Sequence, residues 1–216
     1  MSEEFIVFDN HYLRVMVREL GPYETNCYVV VRHETGESIL IDFPDEPDTI
    51  ISMLHDTSPL CMILTHNHMD HTGALPDIKS RLDIPLIAHA ADTPLPGVEP
   101  DIIVSQDDIF RYGKHEFSIL HTPGHTPGSI CVNFSDVLIS GDTLFPGGPG
   151  RTETPEDFRA IITSIKEKLL ILPDNTILLP GHGPGTTIGN CRKEYEAFCK
   201  REHDPDLCGD VLWDTD

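Results

Sequence analysis

The run His66-Asn67-His68-Met69-Asp70-His71 puts three imidazoles and one carboxylate into six residues. Imidazole nitrogen with some carboxylate oxygen is the donor mixture that a borderline-soft divalent ion such as zinc takes, and a catalytic site of that kind leaves one coordination position open to water. Three further residues share the same local setting: His125 in Thr122-Pro123-Gly124-His125, Asp142 in Gly141-Asp142-Thr143, and His182 in Pro180-Gly181-His182. His66 and His68, two apart, suit one ion together and gain a third imidazole from His125. Asp70, His71 and His182 make a second set of different character, and Asp142, with two oxygens, is suited to bridge. Paired ions roughly 3.5 to 4 Å apart hold a hydroxide between them at neutral pH and polarise a carbonyl, which is hydrolytic equipment. The expected ligands are therefore His66, His68, Asp70, His71, His125, Asp142 and His182, with Asp70 also the expected catalytic residue. The histidines at 11, 33, 55, 89, 115, 121 and 203 lack this setting and read as ordinary hydrogen-bonded residues.

Such a set needs a scaffold that brings distant loops together, and the surrounding pattern supplies one. Strands are expected at Tyr12 to Val17, Asn26 to Val31 and Ser38 to Asp42, separated by turn signals such as His33-Glu34-Thr35-Gly36. A helix is expected from Glu46 to His55, then the strand Leu60 to Leu64, the histidine-rich loop, a helix over Thr72 to Leu82 and a short strand Pro85 to Ala88. β character returns from Ile102 to Ile139, clearest at Phe117 to Leu120, Ser129 to Phe134 and Val137 to Ile139. A helix over Pro155 to Leu170, with proline at its start where a missing N–H costs little, a strand Thr176 to Leu179 and a helix Cys191 to Arg201 complete the chain. Every candidate ligand then follows a strand, and loops at the same end of several strands converge on one cleft. Two β-rich stretches, each closed by helices, fit a layered α/β sandwich better than a doubly wound parallel sheet. No low-complexity linker divides the chain, so residues 1–201 are expected as a single domain, followed by an acidic tail, 202–216.

Composition narrows the partners. Of 216 residues 36 are acidic and 15 basic, a formal charge of −21 that repels phosphate backbones and anionic lipids. A small-molecule substrate is expected, with neither nucleic acid nor membrane as partner. No apolar run approaches the roughly 20 residues needed to span a bilayer, and MSEEFIVFDN has none of the marks of a signal peptide. The expected location is cytoplasmic. The six cysteines contain no CxxC pair; several sit in apolar strand-like runs as small hydrophobes, while Cys191, Cys199 and Cys208 are spaced so that a pair among them could staple the C-terminus.

The segments Thr65 to Gly73 (THNHMDHTG), Thr122 to Ser129 (TPGHTPGS), Gly141 to Phe145 (GDTLF) and Pro180 to Pro184 (PGHGP) resemble, in order and spacing, the successive metal motifs of the metallo-β-lactamase superfamily. The resemblance runs from about Gly21 to Phe198. It implies a four-layer αβ/βα sandwich of two mixed sheets flanked by helices, with the metal cleft along one edge. It also implies one metal on His66, His68 and His125, another on Asp70, His71 and His182, and Asp142 between them. Two divalent ions are implied, zinc first, with iron or manganese served by the same donors. Asp42 is implied as the acceptor that orients a ligand histidine, although Ile41-Asp42-Phe43-Pro44 replaces the more usual Asp-Pro-Gly turn.

Within the superfamily, Thr25-Asn26-Cys27-Tyr28 and Gly141 to Thr152 (GDTLFPGGPGRT) are similar to glyoxalase II and its short relatives. That likeness implies cleavage of a thioester or related small ester by metal-bound hydroxide. Full-length glyoxalase II adds a helical domain that supplies much of its glutathione site, whereas His182 here stands 34 residues from position 216. The main alternative is a mononuclear iron persulfide dioxygenase, which would use only the equivalents of His66, His125 and Asp142. A lactonase is a further alternative, since the same nucleophile attacks ring esters. Net charge argues against a nuclease of the superfamily, the absence of a leader against a secreted β-lactamase, and the complete ligand set against a non-catalytic binding module.

Overall fold

The first third of the chain forms the expected meander, with one strand more than its pattern announces: β1 (Phe5–Asp9), β2 (Leu13–Leu20), β3 (Thr25–Arg32) and β4 (Glu37–Ile41), each antiparallel to the next. The computed structural model describes residues 5–112 and 115–213. Two compact units are distinguished, residues 1–104 and 105–216.

In the first unit the meander continues into β5 (Ser58–Ile63), β6 (Leu86–His89) and β7 (Ile102–Val104), all parallel to β4, giving a seven-stranded mixed sheet in sequential order. Parallel neighbours need crossover connections, supplied by α1 (Pro47–Met53) before β5 and by α2 (Met69–Thr72) with α3 (Leu75–Arg81) before β6. Ile50 and Met53 of α1 and Leu75 and Ile78 of α3 bury themselves against Val29, Val31, Leu40, Met62 and Leu86 of the sheet. Alternate residues of each strand thus share one helix-covered face. The helix expected over Thr72 to Leu82 runs only from Leu75 to Arg81, and the short α2 (Met69–Thr72) ends where it was expected to begin. Pro76 has no N–H to offer, and its ring would strike the carbonyl of Thr72, so a helix cannot run through both.

The second unit carries β8 (Ile109–Tyr112), β9 (His115–His121), β10 (Ile130–Asn133), β11 (Val137–Gly141), the two-residue strands β12 (Leu144–Phe145) and β13 (Gly148–Pro149), α4 (Pro155–Ser164), β14 (Ile177–Pro180), β15 (Thr186–Thr187) and α5 (Ile188–Phe198). Its six-stranded sheet runs β15-β14-β11-β10-β9-β8, antiparallel except where β14 lies parallel to β11; β12 and β13 pair separately. Thr154 caps α4 by accepting the Asp157 N–H at 3.2 Å, and Thr187 caps α5 through Asn190 N–H at 3.2 Å. The expected helix end at Leu170 is reached through one π-helical turn, Ile165–Leu169. Phe158, Ile161, Ile165, Leu169, Ile188, Cys191 and Phe198 pack with Leu120, Cys131, Leu138 and Leu178 of the sheet.

All six cysteines are free. The tail that a disulfide could have stapled is held instead by Trp213, fully buried in the second cluster; positions 214–216 lie outside the described residues. Among the described residues no helix is long and apolar enough to cross a membrane.

Candidate metal centre

Each unit carries its own share of the expected ligands, all just beyond strand C-termini. In the first unit His66 follows β5 by three residues, His68 is the extended residue preceding α2, and Asp70 and His71 lie within that helix. The His66 ring lies 4.9 Å from that of His68 and 4.1 Å from that of His71, centroid to centroid. A His66 ring nitrogen is within 4.8 Å of one on His68 and of one on His71. The His71 Nε2 to Asp70 Oδ2 distance is 3.6 Å.

Asp42 organises this half. Directly after β4, it adopts a left-handed backbone with φ of 62°, a conformation that aspartate and asparagine tolerate better than most residues. Its Oδ1 accepts the Thr65 N–H at 2.8 Å, and its Oδ2 accepts both the Thr65 hydroxyl and His71 Nδ1, each at 2.8 Å. Thr65 Oγ1 in turn lies 3.1 Å from His66 Nδ1. With Nδ1 engaged, each ring turns Nε2 outward as the donor, the arrangement that outer partners impose on metal-ligating histidines. Asp42, Thr65, His66 and His71 are all essentially buried. The hydrogen bond expected between Asp42 and a candidate ligand histidine is therefore present despite the altered turn sequence.

Two residues here have roles that sequence reasoning does not assign. Asp92, buried near the end of the β6 segment, accepts the Asn67 N–H at 3.0 Å, and Asn67 Nδ2 returns a bond of 3.1 Å to its carbonyl. This pins the residue between His66 and His68. Thr25 donates to Asp70 Oδ2 at 3.2 Å. A lone aspartate carries no spacing signal that could have singled it out, whereas Thr25 opens the Thr25-Asn26-Cys27-Tyr28 segment, whose likeness gives it no role of its own.

In the second unit His125 follows β9, Asp142 stands immediately after β11, and His182 follows β14. Asp142 Oδ2 lies 3.5 Å from His125 Nε2 and 3.5 Å from His182 Nε2. These separations exceed a good hydrogen bond. They suit donors sharing a tetrahedral ion with bonds of about 2.0 to 2.1 Å, which stand roughly 3.3 Å apart. His125 Nδ1 is engaged by the Arg151 carbonyl at 2.8 Å, again leaving Nε2 as the donor. A backbone carbonyl has no sequence signature, so this partner too was illegible beforehand.

Short ties explain why these three loops meet. The Thr122 and Thr143 hydroxyls are 2.8 Å apart, and Gly181 N–H donates to the Gly141 carbonyl at 2.9 Å. Gly150 closes the group, its N–H reaching Thr143 O at 3.2 Å. A Cβ on Gly150 would come 1.8 Å from the Asp142 carbonyl oxygen, so glycine alone permits this approach.

Thiol chemistry does not compete with this centre. Burial, and then the Asp42 carboxylate, pushes the Cys27 pKa well above its ordinary value, and burial raises Cys131 to about 11. Both remain protonated and inert near neutral pH. Most of the remaining histidines take the ordinary roles expected of them: His33 pairs with Asp9 at 2.9 Å, His55 with Asp56 at 2.9 Å, His121 with Pro127 O at 2.9 Å and His203 with Phe198 O at 2.7 Å. The His115 side chain lies outside the described residues.

The donor chemistry fits divalent metal: imidazoles presented through Nε2, and one carboxylate equidistant from two of them. Comparison with known proteins agrees. The profile of the metallo-beta-lactamase superfamily matches residues 20–182, a span that includes every candidate ligand. Hydroxyacylglutathione hydrolase GloC of Haemophilus influenzae is 34% identical over 200 residues, covering 82% of this chain and 94% of its own. Among solved structures, BLEG-1 B3 metallo-beta-lactamase superposes with a TM-score of 0.74 at 33% identity, covering 82% of this chain and 95% of that one. TTHA1623 in a di-iron-bound form superposes with a TM-score of 0.67 at 32% identity, covering 80% and 94%. With its two mixed sheets, its flanking helices and its His/Asp donors beyond the strand ends, this chain belongs to the metallo-β-lactamase superfamily.

Proposed function

We propose that the chain is a glyoxalase II-like hydrolase, converting a thioester or related small ester and water into a carboxylic acid and a thiol or alcohol. Its two half-sites, His66, His68, Asp70 and His71 from one unit and His125, Asp142 and His182 from the other, would hold two divalent ions, zinc first. The observation that carries this reading is Asp142, whose Oδ2 stands 3.5 Å from the Nε2 atoms of both His125 and His182. Those imidazoles belong to different metal sets by the family's motifs, so a carboxylate common to both suits a bridge. Bound there, such ions supply a water acidic enough to act as a nucleophile near neutral pH and a Lewis acid for the carbonyl.

The chain's own residues do the positioning. Asp42 and the Arg151 carbonyl fix His71 and His125 by Nδ1, Thr65 relays Asp42 to His66, and Thr25 holds the Asp70 carboxylate. A profile spanning residues 20–182 supports treating both units as one functional domain, with 202–216 as its tail. The relative named for a hydroxyacylglutathione substrate supports the thioester class, and the di-iron form of a relative supports a two-ion centre. A charge of −21 supports a small-molecule substrate over nucleic acid or membrane, and six free thiols suit the reducing cytoplasm.

Metal analysis of the purified protein, with a panel of thioesters, lactones, a cephalosporin and glutathione persulfide, tests this. The expected result is about two ions per chain and thioester turnover that Asp70→Ala removes. Oxygen uptake with the persulfide and no carbonyl hydrolysis, or full activity in Asp70→Ala, would overturn it.

A further inference from the structure

The segment beyond α5 is a strap fixed at both ends. At one end Thr152 and Gly209 exchange backbone hydrogen bonds of 3.2 and 2.9 Å. At the other, Trp213 N–H donates to Gly147 O at 2.7 Å, the Arg201 guanidinium donates to the Trp213 carbonyl, and the indole is buried beside Tyr195 and Phe198. Between the anchors the strap presses on the β12–β13 hairpin. A Cβ on Gly148, which has φ of 158°, would come 2.5 Å from the Val211 carbonyl oxygen.

Held in this way, Asp210, Val211 and Leu212 form one wall of a cavity of about 250 Å³ whose lining includes the candidate ligands His125 and Asp142, with Phe145, Pro146 and Pro149. Leu212 is 60% exposed although its neighbours Val211 and Trp213 are 7% and 0% exposed. An exposed leucine is in itself ordinary. This one is held by buried anchors in the wall of a cavity that contains two metal-ligand candidates. The cation in that lining is Arg151, and its guanidinium already lies 3.1 Å from Glu153 and 3.3 Å from Asp210. With that guanidinium engaged by Glu153 and Asp210, the lining that faces a substituent away from His125 and Asp142 is the apolar set Phe145, Pro146, Pro149 and Leu212.

We infer that the strap is the specificity wall of the site, and that Leu212 with Phe145 and Pro146 receives an uncharged, apolar substituent of the substrate. This rests on the hydrolase reading and deepens it, since it names an uncharged, apolar substituent as the part of the substrate that this wall selects. A cavity of about 250 Å³ has room for an alkyl substituent, and its preferred length is what the experiment varies.

The test uses the metal-loaded full chain and two series of neutral substrates. One is N-acetylcysteamine thioesters with acyl chains of increasing length, and the other is acetyl thioesters of alkyl thiols of increasing length. The reading is the ratio of kcat/KM for the longest to the shortest member, taken within each protein so that a general loss of folding or metal cancels. In the wild type this ratio rises in one series, which identifies the side of the carbonyl that meets the strap. Leu212→Ala lowers it by roughly tenfold, the low end of what a methylene is worth in an apolar pocket. Leu212→Asp lowers it further, and Ile171→Ala, an exposed apolar residue outside the cavity lining, leaves it unchanged. Unchanged ratios in both Leu212 variants overturn the assignment while leaving the hydrolase reading standing. Calorimetric binding of non-hydrolysable N-acetyl-S-alkylcysteamine thioethers separates the two ideas from the other side. Length-dependent binding that Leu212→Ala abolishes, with no thioester turned over, supports the strap and overturns the hydrolase.

Discussion

Replacing Asp42 by asparagine and by alanine separates holding the fold together from aiming a ligand. Its carboxylate takes three donors, Thr65 N–H, the Thr65 hydroxyl and His71 Nδ1, each at 2.8 Å and all in a buried setting. Asp42→Ala strands all three, and each buried donor without a partner costs about 1–3 kcal/mol before relaxation. It also places alanine at φ of 62°, where a residue without a short polar side chain is strained. A loss of about 3–5 kcal/mol follows, a large fraction of the ~5–15 kcal/mol that a domain commands. Asp42→Asn behaves differently. Asparagine tolerates the left-handed backbone, and its one oxygen can still accept from Thr65, so the stability loss is about 1–2 kcal/mol. Its amide, however, turns a donor toward His71 Nδ1, and the ring must move its proton to Nε2 or rotate. Either change withdraws the ligand, and loss of such an orienting partner typically costs 10- to 100-fold in metal affinity. The assay is a urea midpoint on chelator-treated protein beside metal affinity measured by competition with a chromophoric chelator. Metal binding by Asp42→Asn with wild-type affinity and stoichiometry would refute the orienting argument, whatever its stability.

Gly150→Ala brings a methyl to 1.8 Å from the Asp142 carbonyl oxygen, so Asp142 must shift; a fall in metal occupancy and activity of at least tenfold is expected, checked by elemental analysis and thioester turnover. In the folded protein, alkylation near pH 8 followed by mass mapping should mark exposed Cys199 quickly, Cys208 slowly, and the buried Cys27, Cys61, Cys131 and Cys191 only on unfolding. Burial lifts the pKa of Cys131 to about 11 and of Cys61 and Cys191 to about 12. Their protonated forms therefore favour the folded state fully below the unfolded value near 8.5, and that contribution is lost as pH rises toward 11 and 12; urea midpoints should hold to about pH 8 and fall above it.

Much of the candidate centre is legible in the sequence because metal chemistry selects residue types and the strand-loop pattern selects their places. His66 to His71, His125, Asp142 and His182 each stand beyond a strand, as the alternation of apolar runs and Gly/Pro-marked loops requires. Most strands and helices were legible for the same reason. The misses have particular causes. Pro76 moves to Leu75 the start of a helix whose periodicity reads from Thr72, since periodicity reports faces and not hydrogen bonds. β1 has a weak pattern because Ile6 and Val7 are half exposed and β1 is an edge strand.

By itself the sequence determined which atoms are available to a metal, that strands must alternate with helices, and that the surface is acidic; these follow from side-chain chemistry and local period alone. Only the tertiary structure decided which outer groups aim the imidazoles. Asp42 reaches His71 across 29 residues and the Arg151 carbonyl reaches His125 across 26. It also decided that residues 210–212 wall a cavity beside His125 and Asp142. A hydrogen bond to a distant carbonyl, or a strap pinned by one buried tryptophan, depends on where the backbone passes. No local pattern encodes that, because it is set by packing between segments far apart in the chain.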